Sequence, residues 1–422
     1  MGNDFSIFTV QDTKPEPFKN PPEIASPKNT TIRTRPLYLI FSITLASVMG
    51  VSSIAPAFPA IADAMEVSTG QIGLLITFFT IPGILFTPIF GILADRLNRK
   101  VILVPSLLLF GFAGAACATA TDFDQLLLYR ALQGMGSASL GVINLTLIGD
   151  FFEGRRRAEV MGYNGSVLSV GTAIYPAIGG GLALIGWYAP FFLSLLAVPV
   201  ALAALVLLES NGSGHSMSMG LYLKEIAGSL FKRHVLALLL CMFLTTIILY
   251  GGYITFFTIF LDEQFGLSTL MIGIFLSTSS LMTAVTSASL GKILRVAQSH
   301  HLIRIAALLY TLIFLSLPWI ETLWVFLIPI VFFGVAQGMN IPSILTLLTS
   351  SAPDSYRAAF LSVNWIVMRI GQSLGPYLLG IVYSVWHIRA TFWVTAIAGG
   401  LFLLTSLTLL RAVPTSVTRG QP

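Results

Sequence analysis

Gly91-Ile92-Leu93-Ala94-Asp95-Arg96-Leu97-Asn98-Arg99-Lys100 decides how this chain folds. An apolar run over residues 71–93 ends in it, and a second, 101–120, begins directly after it. A helix needs about 20 apolar residues to cross a bilayer, so each run is long enough. The link is a short turn with one acid and three bases. Gly91 lets a neighbouring helix approach closely. Asp95 can accept from nearby N–H groups or an arginine. Arg96, Arg99 and Lys100 suit a cytoplasmic face beside anionic lipid. Asn98 tolerates a left-handed turn should the link need one. The reading is a helical hairpin in a membrane.

The same rhythm continues in both directions. Apolar runs fall at 37–62, 71–93, 101–120, 126–148, 160–184, 187–208, 235–261, 269–291, 305–320, 323–349, 360–384 and 391–411. The expected fold is an all-α integral membrane protein with twelve helices in two six-helix halves, 37–208 and 235–411. Residues 209–234 form a cytoplasmic linker, and 1–36 and 412–422 are polar tails, the first Pro-rich and disordered. The composition agrees: 55% of the 422 residues are hydrophobic and 10% charged, against about 25% charged in soluble proteins. That excludes a soluble enzyme, a disordered protein and a disulfide scaffold. Cys117 and Cys241 lie in apolar runs, so no disulfide, metal site or cofactor is expected. The net charge of +5 reflects topology rather than nucleic-acid binding, since no compact basic patch with aromatics occurs.

Basic residues on short loops mark the cytoplasmic side. With twelve crossings and a cytoplasmic N-terminus, 20 of the 23 Lys and Arg residues fall inside. Arg389 lies outside, and Arg130 and Arg369 lie within helices. Both termini are therefore expected in the cytoplasm, with the chain multi-pass in the plasma membrane. An internal repeat supports this count. At an offset of 200 residues Ser68 matches Ser268, Gly73 Gly273, Gly91 Gly291, Asn164 Asn364, Gly171 Gly371 and Pro176 Pro376. Gln133-Gly134-Met135 matches Gln337-Gly338-Met339 at an offset of 204.

The loop 91–100 resembles the G-x-L-A-D-R-x-G-R-K/R signature of the major facilitator superfamily, with Asn98 in place of Gly. Leu127 to Gly136 resembles that family's R-x-x-Q-G-x-G pattern, with Arg130 as the arginine. Gly171-Thr172-Ala173-Ile174-Tyr175-Pro176-Ala177-Ile178-Gly179-Gly180 is similar to its antiporter-associated G-x-x-x-G-P-x-x-G-G motif, except for Tyr175. Helix 11 repeats this as Gly371, Gly375, Pro376 and Gly380. The resemblance covers nearly all of 37–411 and is closest to the bacterial twelve-helix drug:proton antiporters. It implies rocker-switch alternating access and efflux of a small molecule by a monomer in exchange for protons. It also implies gating roles for Gly91, Asp95, Arg96, Arg99, Lys100, Gly171, Pro176, Gly371, Gly375 and Pro376.

Ionisable groups inside a membrane helix are functional candidates. Arg369 stands nine residues into helix 11, about 13 Å along it at 1.5 Å per residue. No acid lies at that depth, and helix 1 has none until Asp63 at its outer end. The expected cavity is net positive, and its substrate neutral or anionic and amphiphilic. Arg369 would bind a carboxylate, phosphate or sulfonate, or else be satisfied by Gln372, Gln337, Asn340 or Asn364. Other cavity candidates are Tyr250, Tyr253 and Phe257 along one face of helix 7, Gln337 and Asn340 on helix 10, and Trp365 on helix 11. Proton coupling would use Arg130 with Asp63 or Asp150, although Arg130 could instead reach outward to Asp122 or Asp124. Glu153 and Arg157, four apart, would pair at the inner gate if the loop is helical. The rival readings are an organic-anion or nutrient importer on the same fold, a polytopic membrane enzyme and a membrane receptor. The last two lack their clustered catalytic side chains and a signalling domain.

Overall fold

Backbone groups in lipid must pair within their own segment, and the chain meets that demand with helices. The computed structural model describes residues 34–208, 232–352 and 357–410. The tails 1–33 and 411–422 and the linker residues 209–231 lie outside the described residues. Ten helical segments come in order: α1 Pro36–Ala64, α2 Thr69–Gly91, α3 Arg99–Cys117, α4 Phe123–Phe151, α5 Glu159–Ala183, α6 Ala189–Leu207, α7 Arg233–Phe265, α8 Thr269–Ile293, α9 Ser299–Trp319 and α10 Leu323–Ser351. An eleventh, Phe360–Thr408, is 49 residues long, far more than the roughly 20 that one crossing needs. It breaks at His387, whose φ of 62° and ψ of −176° are non-helical. It is therefore two helices, α11 before the break and α12 after it, which makes twelve crossings among the described residues.

Local chemistry sets the ends. Asn98, Asp122 and Ser268 cap α3, α4 and α8 by accepting from the backbone N–H groups of Lys100, Gln125 and Met271, as N-cap side chains do. Asn98 is extended, at φ −61° and ψ 130°, so the left-handed turn it tolerates is not used. Its carboxamide is used as a cap rather than to relax the backbone. The repeat reaches the turns as well. Glu66 (φ 51°) and Gly266 (φ 60°) both turn left-handed, 200 residues apart, each two residues before a capping serine. α9 begins at Ser299, six residues earlier than its apolar run, because Ser299, His300 and His301 form a polar first turn.

Two large apolar clusters form the interior. One lies wholly within the first six helices, from Leu39 to Leu208. The other joins Ile54, Phe58, Ile61, Ile72 and Leu75 to Phe256, Phe260, Ile272, Phe275 and Leu379. Residues from both halves of the chain thus share one core at the end that the charge pattern assigns to the outside, called the outer end below.

Small residues bring the helices together where lipid gives no hydrophobic drive. A Cβ on Gly134 of α4 would collide with the backbone of Phe79 in α2. Gly134→Leu is therefore expected to destabilise the fold by about 3 kcal/mol or more, by overpacking. The check is loss of the monodisperse peak in detergent gel filtration.

Candidate functional site

The seams between the two halves are built as a pair. Gly73 of α2 packs on Pro376 of α11, and Gly273 of α8 packs on Pro176 of α5. Gly70 lies on the Gly380 carbonyl, and Gly180 on the Thr269 carbonyl. The Thr77 hydroxyl donates to the Ser373 carbonyl at 2.8 Å. Its counterpart 200 residues on, Ser277, accepts from the Ala177 N–H at 3.1 Å. The matched Gly and Pro positions of the repeat are thus the places where backbone meets backbone across the molecule. Gly171 and Gly179 instead seat α5 on α1, and Gly371 and Gly375 seat α11 on α7.

At the other end these helices part. Around Gly162, Gly165 and Gly291 there is open space, and Gly91 meets only Val142 of its own half. The contacts that join the halves lie toward the outer end, and at the inner end these glycines have open space beside them.

Arg369 of α11 is half-buried and reaches across to the first half. Its guanidinium occupies the room left by Gly83 of α2, where any Cβ would overlap it. The Tyr250 phenol, which lies by Gln372, is within electrostatic reach of it. Trp365, one turn away, is 44% exposed. Among the described residues the guanidinium has no hydrogen-bond acceptor. Three of the four amides that could have satisfied it are engaged or turned elsewhere, and the fourth, Gln372, lies by Tyr250. Asn340 donates to Thr245 at 2.8 Å, Asn364 reaches the Met368 sulfur, and both polar atoms of Gln337 are buried without a partner.

Gln337, Asn340 and Tyr253 are buried at 3%, 0% and 5% exposure, inside the second half. Tyr253 stacks on Phe333 and Phe257, with centroids 4.1 and 5.1 Å apart. The expected single face of Tyr250, Tyr253 and Phe257 does not form. This stretch of α7 is a π-helix, whose wider turn sends Tyr250 toward Arg369 and Tyr253 into the core.

Arg130 is wholly buried and turned inward, away from Asp122 and Asp124. It donates to the Leu75 carbonyl at 3.2 Å, to the Gly50 carbonyl at 2.9 Å and to Gln133. The Gly50 carbonyl is free for it because the Ile54 N–H turns to Val51. The Phe79 ring lies 4.3 Å from the guanidinium carbon. Arg130 thus ties α1, α2 and α4 together. The structure does not bring it together with Asp63 or Asp150. Asp63 is exposed at the outer end, within electrostatic reach of Asp262. Asp150 pairs with Arg99 at 3.2 Å.

The side chains of Asp95 and Arg96 lie outside the described residues. Lys100 heads α3 through its backbone bond to Asn98. The side chains of Glu153 and Arg157 are not brought together, and Arg156 pairs instead with Glu159 at 3.0 Å. Sequence reading missed Gly83, which stands beside Pro82 and reads there only as a kink. It also missed Thr77 and Ser277, whose offset of 200 was the available signal.

The Major Facilitator Superfamily model matches residues 40–376 and 322–421. The bacillibactin exporter of Bacillus subtilis (strain 168) is 26% identical over 362 residues, covering 81% of this chain and 88% of that protein. Multidrug resistance protein 1 of the same organism is 25% identical over 359 residues, covering 83% and 90%. The solved structure of the nucleoside transporter NupG matches with a TM-score of 0.75 at 14% identity, covering 89% of this chain and all of that one.

Proposed function

The chain belongs to the major facilitator superfamily, and from that premise we propose that it exports small neutral or anionic amphiphiles in exchange for protons. It is a multi-pass membrane transporter and not an enzyme. The observation that carries the substrate reading is Arg369: a half-buried guanidinium without an acceptor among the described residues, set against Gly83 of the other half, with Tyr250 in electrostatic reach. In a low-dielectric site such a fork favours a carboxylate or phosphate. Export is supported by relatives named as an exporter and as a multidrug resistance protein.

Transport proceeds by rocking the two bundles, 37–208 and 235–411, about the central site. The paired glycine seams close the outer end, and their parting would open it. The substrate enters from the cytoplasm at the inner end. The gating set (Gly91, Asp95, Arg96, Arg99, Lys100, Glu153 and Arg157) lies at that end. Proton coupling rests on Asp63, within electrostatic reach of Asp262, with Arg130 as a fixed staple. Asp150 is tied to Arg99. The absence of a deep acid also suits an organic-anion importer, the second reading.

Both are tested with purified protein in proteoliposomes under an imposed pH gradient. The probes are naphthoate, naphthamide and naphthylmethylammonium. Naphthoate is expected to move against its gradient toward the acidic side and to stop when the pH gradient is collapsed. Movement of the cation alone overturns the substrate reading. Movement of naphthoate together with protons, in the same direction, selects the importer.

A further inference from the structure

Over Ile247–Phe257 the seventh helix is a π-helix eleven residues long. Such turns are rare and mostly single, and they concentrate at functional sites. One side chain bonds in this register. The Thr255 hydroxyl donates at 2.7 Å to the carbonyl of Tyr250, five residues earlier. In an α-helix that carbonyl would take the N–H of the residue four on, Ile254. The other threonines of this helix behave in the ordinary way: Thr245, Thr246 and Thr258 reach carbonyls three or four residues back.

The residue whose carbonyl Thr255 holds lies where α7 packs on α11, Gly371 against Thr246 and Phe243 and Gly375 against Ile247 and Gly251, and its phenol is within electrostatic reach of Arg369. The next two residues are packed on both sides, Gly251 against Gly375 and Gly252 against Thr395 and Phe314. Returning one residue to the α register would turn one flank of the helix against the other by about 100°, one part in 3.6 of a turn. That rotation carries the phenol away from the guanidinium.

We propose that Thr255 is a positioning residue: by holding the π register it keeps the Tyr250 hydroxyl within reach of Arg369, so that an anionic substrate meets guanidinium and phenol together. The substrate half of this rests on the reading of Arg369 given above.

The test uses the full chain in proteoliposomes, with Cys117 and Cys241 replaced by alanine. A geometric readout comes from Tyr250→Cys with Gln372→Cys, joined by a short bifunctional thiosulfonate. Thr255→Val is expected to slow that cross-link severalfold and Thr255→Ser to restore it. In the otherwise unmodified chain, Thr255→Val is expected to raise the KM for naphthoate about tenfold, the effect of one lost contact, with kcat and the KM for naphthamide unchanged. Thr255→Ser again restores the wild-type value. A cross-linking rate untouched by Thr255→Val, or not restored by Thr255→Ser, overturns the proposal. If the cross-link slows while naphthoate and naphthamide suffer alike, Thr255 does position Tyr250 and the anion reading of Arg369 is what fails.

Discussion

Arg369→Ala is expected to lower kcat/KM for naphthoate about a hundredfold while leaving naphthamide within about twofold. A charge-assisted hydrogen bond is worth about 1.5–3 kcal/mol, and a bidentate pair away from bulk water lies at or above the top of that range. The side chain has no acceptor among the described residues, and Gly83 gives it room without depending on it. Its removal should therefore spare the fold. Arg369→Lys keeps the charge but loses the planar fork and should recover only part of the loss, to about a tenfold deficit. The measurement is initial-rate transport in proteoliposomes, with gel filtration confirming an unchanged monodisperse protein. Equal losses for the acid and its amide would assign Arg369 a structural role and remove the anion from the reading.

Gly273→Leu is expected to stop transport in a chain that still folds. A Cβ at that position would overlap the Pro176 carbonyl on the facing helix. Backbone cannot swing aside as a side chain can, so α5 and α8 must separate. The overlap arises only where the two halves meet, so its cost of about 3 kcal/mol falls on the state closed at the outer end. A shift of that size moves a two-state population about a hundredfold. The protein should rest with its outer end open. A cysteine at Ser277, which bonds across the same seam, should then react with a membrane-impermeant thiosulfonate added outside and be protected in the parent. Gly73→Leu at the paired seam should act likewise, since it meets Pro376. Gly134→Leu, whose collision lies within one half, should instead lose the folded protein. Wild-type labelling and transport in Gly273→Leu would show that these seams do not govern closure.

Much of the architecture could be read from residues in order. A bilayer makes apolar length, loop charge and repeated Gly and Pro nearly sufficient, because lipid leaves the backbone no choice but helices. The break at His387 falls between the runs 360–384 and 391–411; the early start of α9 at Ser299 was an exception, for hydropathy does not register a polar first turn. The site was less legible. Arg369 and Tyr250 stay partly exposed and Trp365 exposed, while Gln337, Asn340 and Tyr253 turn into the second half. Helical periodicity could not separate them, since a π-helix changes the period where Tyr250 and Tyr253 sit. Arg130 looked like half of an ion pair, yet it is held by carbonyls of α1 and α2.

The amino-acid order by itself determined the twelve crossings, the twofold repeat and the lone arginine in helix 11, because each follows from local transfer energetics and spacing. Only the tertiary structure decided which glycines are seams between halves and which are seats within one. It alone decided which polar groups are buried, and that the seventh helix leaves the α register. Those outcomes depend on which backbone stands opposite each residue, and a chain read in order does not contain its neighbours.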